Sequence, residues 1–251
     1  IEKDRSLTPE IIDTAIWMKS RYGVKYIDAI KMFDVTGKRI PKQSREYSET
    51  KLETEPMLSD EQNYAVTQIS DSIYNALGKS FLIHGVTNSG KTEVYMRAVK
   101  SALERGETAI ILVPEIALSS QISERFSRRF GKGQVAIMHS KLKTSERLAE
   151  WIRIKSGEAK IVIGARTAVF VPASDIGVII IDEEHESTYK SDHNPKYETV
   201  DVAFRRAQYH NATLVLGSAT PSIVSYNRAM EGIYQLIEMK NRIGKSIMPE
   251  V

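Results

Sequence analysis

At 251 residues, with 41% hydrophobic and 27% charged side chains, the chain has a globular composition and room for one α/β domain plus something smaller. Its formal charge of +3 is mildly basic, compatible with nucleic acid but too small to require it. The lack of cysteine excludes disulfides, thiolate zinc sites and cysteine nucleophiles, and no apolar run approaches the ~20 residues of a membrane span.

No signal-peptide pattern opens the sequence, which begins at Ile1 rather than Met, so it reads as a cytoplasmic fragment of something longer. Within residues 1–39, Thr8 and Pro9 suit an N-cap and first helical position, with Glu10 in the first turn. Ile11, Ile12, Ala15, Ile16 and Lys19 keep helical spacing, and Gly23 stands where a C-cap belongs. Ile27, Ile30 and Phe33 suggest a second short helix, followed by a basic turn at 36–39. Such a small, self-contained segment is either part of a winged-helix module or a plain helical hairpin. Residues 40–57 are polar, mixed in charge and interrupted by Pro41 and Pro56, the composition of a linker.

The main domain, 58–251, starts with Ser59 and Gln62 in capping-box spacing, ahead of a helix carrying Ala65, Val66, Ile69, Ile73 and Leu77. Apolar Phe81, Leu82 and Ile83 then run into Gly85, Val86, Thr87, Asn88, Ser89, Gly90, Lys91 and Thr92. Helical spacing resumes at Val94, Tyr95, Ala98, Val99 and Ala102. Strand, glycine-bounded loop, Lys-Thr and helix make a phosphate-binding loop. Its backbone N–H groups form an anion nest at a helix N-terminus, and Gly90 lets the backbone approach a phosphate closely. Lys91 offers a point charge to the β- and γ-phosphates, and the Thr92 hydroxyl suits Mg²⁺. The loop implies a nucleoside triphosphate.

Short apolar segments at 108–113, 135–138, 160–163, 178–181 and 213–216 then alternate with helical ones around 116–130, 144–156, 199–210 and 221–230. An apolar tail follows at 234–239. Continuously apolar strands alternating with helices predict an α/β fold with a doubly wound, mostly parallel sheet. Ligands of such sheets bind at the C-terminal strand ends.

The remaining polar motifs fall at those ends. The apolar run 178–181 leads into Asp182-Glu183-Glu184-His185. Opposite a phosphate loop, Asp182 suits Mg²⁺ and Glu183 is placed to orient or deprotonate a water. Spacing rules out a zinc pair at Glu184-His185, since there is no H-E-x-x-H and no third ligand nearby. Another strand ends in Ser218-Ala219-Thr220, whose hydroxyls either cap the helix after Pro221 or bond His185 and report nucleotide state.

The ordered set GVTNSGKTEVY, LVPEIAL, HS, GARTAVF, IIDEEH and LGSATP resembles the first motor domain of superfamily 2 DNA helicases. Its wording is closest to the PriA family of primosomal replication-restart helicases (primosomal protein N′). The resemblance covers residue 58 onward well and 7–33 more loosely, and it implies a RecA-like P-loop NTPase fold using ATP and Mg²⁺. It gives Gln62 the adenine edge, alongside its capping-box role, and makes Lys91, Asp182, Glu183 and His185 the catalytic set. Pro114, Glu115, Arg166 and Thr167 match positions facing the nucleic-acid strand. Between the Asp-Glu-Glu-His and Ser-Ala-Thr motifs the family has an aromatic-rich loop thought to couple single-stranded DNA to hydrolysis. Tyr189, Lys190, His193, Lys196 and Tyr197 would supply its rings and cations here. Pro195 stands where a Trp is usual, Val200 precedes Asp201 where Arg is expected, and Asn88 replaces a frequent glycine. Nothing after Thr220 resembles the second motor lobe, and the family's cysteine-rich zinc region has no counterpart here. The resemblance further implies single-strand-binding protein and helicase-loading (primosome) proteins as partners, a nucleoid location and no membrane. Another superfamily 2 translocase, or a nucleotide-switched DNA-binding module, also fits the motifs.

Overall fold

The computed structural model describes residues 7–34, 53–115 and 120–243. The expected basic turn at 36–39, most of the expected linker and the first turn of the helix expected from 116 lie outside them.

Two helices come first, α1 (Pro9–Tyr22) and α2 (Tyr26–Phe33), followed by α3 (Asp60–Tyr74). Then come β1 (Ser80–Gly85), α4 (Lys91–Glu104), β2 (Thr108–Leu112), α5 (Ser120–Phe130) and β3 (Val135–Met138). After α6 (Thr144–Lys155) the order is β4 (Ile161–Gly164), β5 (Ile176–Asp182), α7 (Thr199–His210), β6 (Thr213–Ser218), α8 (Ile223–Met230) and β7 (Gln235–Met239). The local signals act as their chemistry dictates. The Thr8 hydroxyl accepts from Ile11 N–H, Gly23 caps α1 at φ 68°, and Ser59 and Gln62 close a reciprocal capping box on α3.

The seven strands form one sheet in the order β3-β4-β2-β5-β6-β1-β7, every neighbour parallel. All C-terminal ends therefore share one edge. One addition to the sequence reading is β7. The expected apolar tail at 234–239 pairs with β1, Leu82 opposite Leu236, and extends the sheet by an edge strand. Gln235 and Leu236 are partly exposed and Glu238 is exposed, so it lacks the continuous buried apolar run that marks the inner strands.

Alternate residues along the strands feed two cores. Phe81, Ile111, Ile163 and Ile180 pack with Ile69, Val99 and Phe126 of α3, α4 and α5. On the other face Leu82, Ile110, Ile179 and Leu216 pack with residues of α6, α7 and α8. Met18 of α1 and Phe33 of α2 belong to that second core, so the first helices share the sheet's cover rather than a core of their own.

Polar links fasten them there. Arg206 of α7 is fully buried, donates to Glu10 at 2.5 Å and to the Val169 carbonyl at 2.6 Å, and lies over the Phe33 ring. Trp151 Nε1 donates to the Phe33 carbonyl at 3.0 Å. Asp201, next to the Val200 that stands where Arg was expected, accepts from Arg21, Tyr22 and Arg228 at 3.1–3.2 Å and so joins α1, α7 and α8.

Burial alone pushes the Glu10 carboxyl up, but the Arg206 charge and hydrogen bond, with His210 beside it, hold it at about 2 against an ordinary 4.5. A lowered carboxyl pKa stabilises the fold above the unfolded value and ceases to do so as pH falls towards the folded one. Arg206→Met should cost about 3–5 kcal/mol in urea unfolding at pH 7, the usual loss when a buried pair keeps one charge. Glu10→Gln should flatten the fall in stability that the native chain shows between pH 4.5 and about 2. An unchanged acid limb would remove Glu10 from the account.

Candidate nucleotide site and nucleic-acid edge

Residues 86–90 turn from β1 into α4. Asn88 (φ 65°) and Gly90 (φ 84°) both take left-handed backbone, which Asn adopts more readily than most side chains. A Cβ at Gly90 would collide with the Gln62 amide and Ile243, and one at Gly85 with Ser89 Oγ and the Lys91 stem. Lys91 folds back across the loop, its Nζ donating to the Gly85 carbonyl at 2.8 Å and lying 3.9 Å from Glu183 Oε1. Ser89 Oγ is buried in the loop without a partner among the described residues. The cavity above has a volume of about 520 Å³, and its lining includes Gln62, Thr87, Ser89, Lys91, Thr92, Asp182 and Glu183. Val86 N–H is committed to the Met239 carbonyl of β7.

A loop with a buried unpaired hydroxyl, an inward lysine and a second hydroxyl sharing its cavity with a carboxylate fits a nucleotide phosphate with its divalent cation. Gln62 is nearly inaccessible. Its Oε1 accepts from Ser59 N–H at 2.9 Å and its Nε2 donates to the Gly90 carbonyl at 3.2 Å. One N–H and one lone pair of the amide remain beyond these two bonds.

Asp182 closes β5, the middle strand of the seven. Tyr95 Oη, wholly buried in α4, donates to its carboxylate at 2.9 Å, and Tyr189 Oη donates to its carbonyl at 2.7 Å. Burial pushes the Asp182 carboxyl above the ordinary value, and the Tyr95 hydroxyl and Lys91 charge offset part of this. Glu183 follows at φ 47°, left-handed for a side chain that seldom takes it, with Oε2 3.7 Å from His185 Nδ1. His185 Nδ1 and Ser218 Oγ are 2.7 Å apart, and Thr220 N–H donates to the same Oγ, while the Thr220 side chain is exposed.

Sequence reasoning missed two residues. Glu184 is buried and accepts from Ser222 N–H (2.7 Å), Ser222 Oγ (3.1 Å) and Ser225 Oγ (2.8 Å), which fixes the start of α8. Tyr95 was legible only as an apolar helix position. The available signal was its hydroxyl, which in a core needs a partner.

The ends of β2 and β4 form a second cavity of about 330 Å³, lined by Val113, Glu115, Ala165, Arg166, Ser187, Thr188, Lys190 and Asp192. Glu115 and Thr167 are exposed and Pro114 is buried. Arg166 Nη1 donates to the carbonyls of Thr188 (3.2 Å) and Lys190 (2.6 Å). Lys190 bridges Glu198 and pairs with its carboxylate at 3.4 Å, and His193 and Lys196 are exposed. The rings require a correction. Tyr189 and Tyr197 are each 3% exposed, and Tyr197 packs edge-on to Phe170 with centroids 5.0 Å apart. Neither offers a face for a nucleobase; their burial follows from the loop folding back on the second core.

Residues 61–229 match the DEAD/DEAH box helicase family. The chain belongs to that family. It is 49% identical over 199 residues to the replication restart protein PriA of Bacillus subtilis, covering 79% of this chain and 25% of that one. PriA of Chlamydia trachomatis is 38% identical over 258 residues, covering 100% of this chain and 33% of that one. The chain thus spans a quarter to a third of these relatives, and the resemblance to PriA read from its motifs holds. Among solved structures, RecG bound to a three-way DNA junction aligns with a TM-score of 0.55 at 18% identity, over 94% of this chain and 30% of that one. The Hef helicase domain of Pyrococcus furiosus aligns at 0.54 and 19%, over 71% and 37%. These likenesses show a RecA-like helicase fold. DEAD/DEAH box helicases use ATP and Mg²⁺, in keeping with the phosphate loop and the carboxylate facing it. No helix among the described residues is long and apolar enough to cross a membrane.

Within the DEAD/DEAH signature the geometry separates the two glutamates. Glu184→Ala strips three donors of their acceptor and should lower stability by about 2–3 kcal/mol, with nucleotide affinity changed less than about twofold. Calorimetric unfolding and nucleotide titration of the same sample would decide it. A large affinity loss at intact stability would put Glu184 in the site instead.

Proposed function

We propose that residues 58–251 are the ATP-binding first motor lobe of a replication-restart DNA helicase of the PriA type. Within the 1–39 segment α1 and α2 dock on it, and residues 40–57 serve as the connection. The observation that carries this is the convergence of Lys91, Thr92, Asp182 and Glu183 on one cavity above the phosphate loop.

In this reading the loop N–H groups at 87, 88 and 90–92 and the Lys91 ammonium bind the phosphates, and Ser89 Oγ gains a partner. Gln62 turns its remaining donor and acceptor to the N7 and N6 edge of adenine, the pairing an amide makes best. Thr92 and Asp182 would hold Mg²⁺, which when bound neutralises charge on the β- and γ-phosphates. Glu183, half-exposed beside that position, orients the attacking water and accepts its proton. His185 and Ser218 carry the state of Glu183 to the end of β6, and Thr220 joins through its N–H.

The strand of DNA lies across the ends of β2 and β4. Thr167, the exposed cations Lys190 and Lys196 and the exposed His193 meet phosphates there, with Glu115 at the rim and Pro114 shaping the turn. Arg166 contributes by holding the Thr188–Lys190 backbone as well as by its charge. A duplex-opening motor needs a second lobe across the cleft. That lobe, the zinc region, and contacts with single-strand-binding and helicase-loading proteins belong to the longer protein, acting at forked or single-stranded DNA in the bacterial cytoplasm.

Glu183→Gln in the longer protein should lower DNA-stimulated ATP turnover by about 10²–10⁴ while ATP binding is retained. Unchanged replication-restart function alongside that loss would favour a nucleotide-switched binding module. The 251-residue chain alone should bind nucleotide weakly, hydrolyse little and unwind nothing. Robust DNA-stimulated turnover by the purified chain would overturn the single-lobe reading.

A further inference from the structure

The hydroxyl and the carboxylate suited to a divalent cation come from different elements. Thr92 stands in the first turn of α4, and Asp182 closes β5. Thr92 takes its place from the phosphate loop, whose backbone leads directly into the helix. Nothing in its own strand orients the Asp182 carboxylate, because a side chain at a strand end can turn about both of its torsions.

Tyr95 crosses the gap between them. It follows Thr92 at i+3, hence on the same side of α4. Its Oη donates to Asp182 Oδ1 at 2.9 Å, and among the described residues no other side chain donates to this carboxylate. The ring is wholly buried in the first core, which leaves it no room to swing. Its phenol end fills the space left by Gly217, which lies opposite Asp182 in the pairing of β5 with β6. A Cβ on Gly217 would strike both Oη and Cζ of Tyr95. Packing alone does not account for the hydroxyl, since a phenylalanine would fill the same place without setting an O–H beside a carboxylate. The hydrogen bond occupies one lone pair of Oδ1. The carboxylate lines the cavity and keeps its other lone pairs for a cation or the waters around it.

We propose that Tyr95 is the positioning residue of the divalent-cation site, holding the Asp182 carboxylate in one orientation relative to the helix that carries Thr92. The role rests on the nucleotide site proposed above and deepens it. A cation binds best to groups already aligned, and a donor behind a carboxylate supplies that alignment while touching neither ion nor nucleotide. One helix then serves both sides of the cation: the first turn of α4 carries the hydroxyl, and its second turn aims the carboxylate. Without the Tyr95 hydroxyl the carboxylate can turn, and the loss falls on the cation rather than on the phosphates.

ADP titrated calorimetrically against the purified chain, once in Mg²⁺ and once in EDTA, separates cation from phosphate. Tyr95→Phe should weaken ADP about tenfold in Mg²⁺ and stay within about twofold of the native chain in EDTA. Gly217→Ala, which sets a methyl where the phenol lies, should reproduce the Mg²⁺-specific loss with Tyr95 intact. Both changes act on one hydroxyl, so combining them should add less than about twofold to the larger single loss. Circular dichroism checks that each variant is folded, and either folded variant decides the matter alone. A Mg²⁺ gain that survives in Tyr95→Phe, or equal losses in both buffers, would overturn the positioning role and leave the nucleotide site standing. A native chain that binds ADP no better in Mg²⁺ than in EDTA would overturn the cation site and the role with it. One that binds ADP in neither buffer would overturn the nucleotide site itself.

Discussion

Asp182 is held from two sides at the end of the sheet's middle strand, its carboxylate by the Tyr95 hydroxyl and its carbonyl by that of Tyr189. Both phenols are buried, so their donors have little else to satisfy and the carboxylate has little freedom to turn. The cost is electrostatic. A carboxylate with so little water around it binds its proton more tightly, unless a cation or donor favours the charged form. Gly217 on the neighbouring strand is part of the same arrangement, because any Cβ there would strike Tyr95 Oη. Tyr95 reaches Asp182 only where β6 leaves that gap.

The same residue joins the two cavities. Tyr189 touches Asp182 from the loop whose flanking carbonyls, at 188 and 190, are gripped by Arg166 at the end of β4. Thr199 Oγ1 donates to the Tyr189 carbonyl at 2.7 Å, tying the loop to the start of α7. The ring that sequence pattern offers as a stacking surface is instead a strut between the two strand ends. Aromatic residues in a short loop between strand and helix serve either purpose. Only burial tells them apart, and burial depends on how the loop folds back over the second core.

Much of the rest was legible from the chain. Phosphate loop, inner strands and helix caps were readable because each is set locally: apolar runs for doubly covered strands, Ser59 with Gln62 for a cap, Gly90 for a close backbone approach. What escaped was set by distant partners. The edge strand β7 exists because β1 has an open side, not because 235–239 is strongly apolar. The first two helices read as self-contained, since nothing local announces that Arg206, nearly two hundred residues away, is buried against Glu10. Asp201 carried no signal of its own beside Val200, yet it is a carboxylate that two arginines and a tyrosine bond.

The left-handed turn at Glu183 explains how four consecutive polar residues serve four structures. In an extended strand Asp182 and Glu184 would share one face and Glu183 and His185 the other. The turn breaks that alternation. Asp182 lines the same cavity as Thr92, while Glu183 lies between Lys91 and His185. Glu184 N–H bonds the Gly217 carbonyl and its carboxylate caps α8, while His185 meets Ser218. Glycine would take φ 47° with less strain but would bring no carboxylate between Lys91 and His185. Strain at Glu183 is therefore tolerated where the anchors on either side, Tyr95 and Tyr189 at Asp182 and the serines at Glu184, leave the backbone no other course.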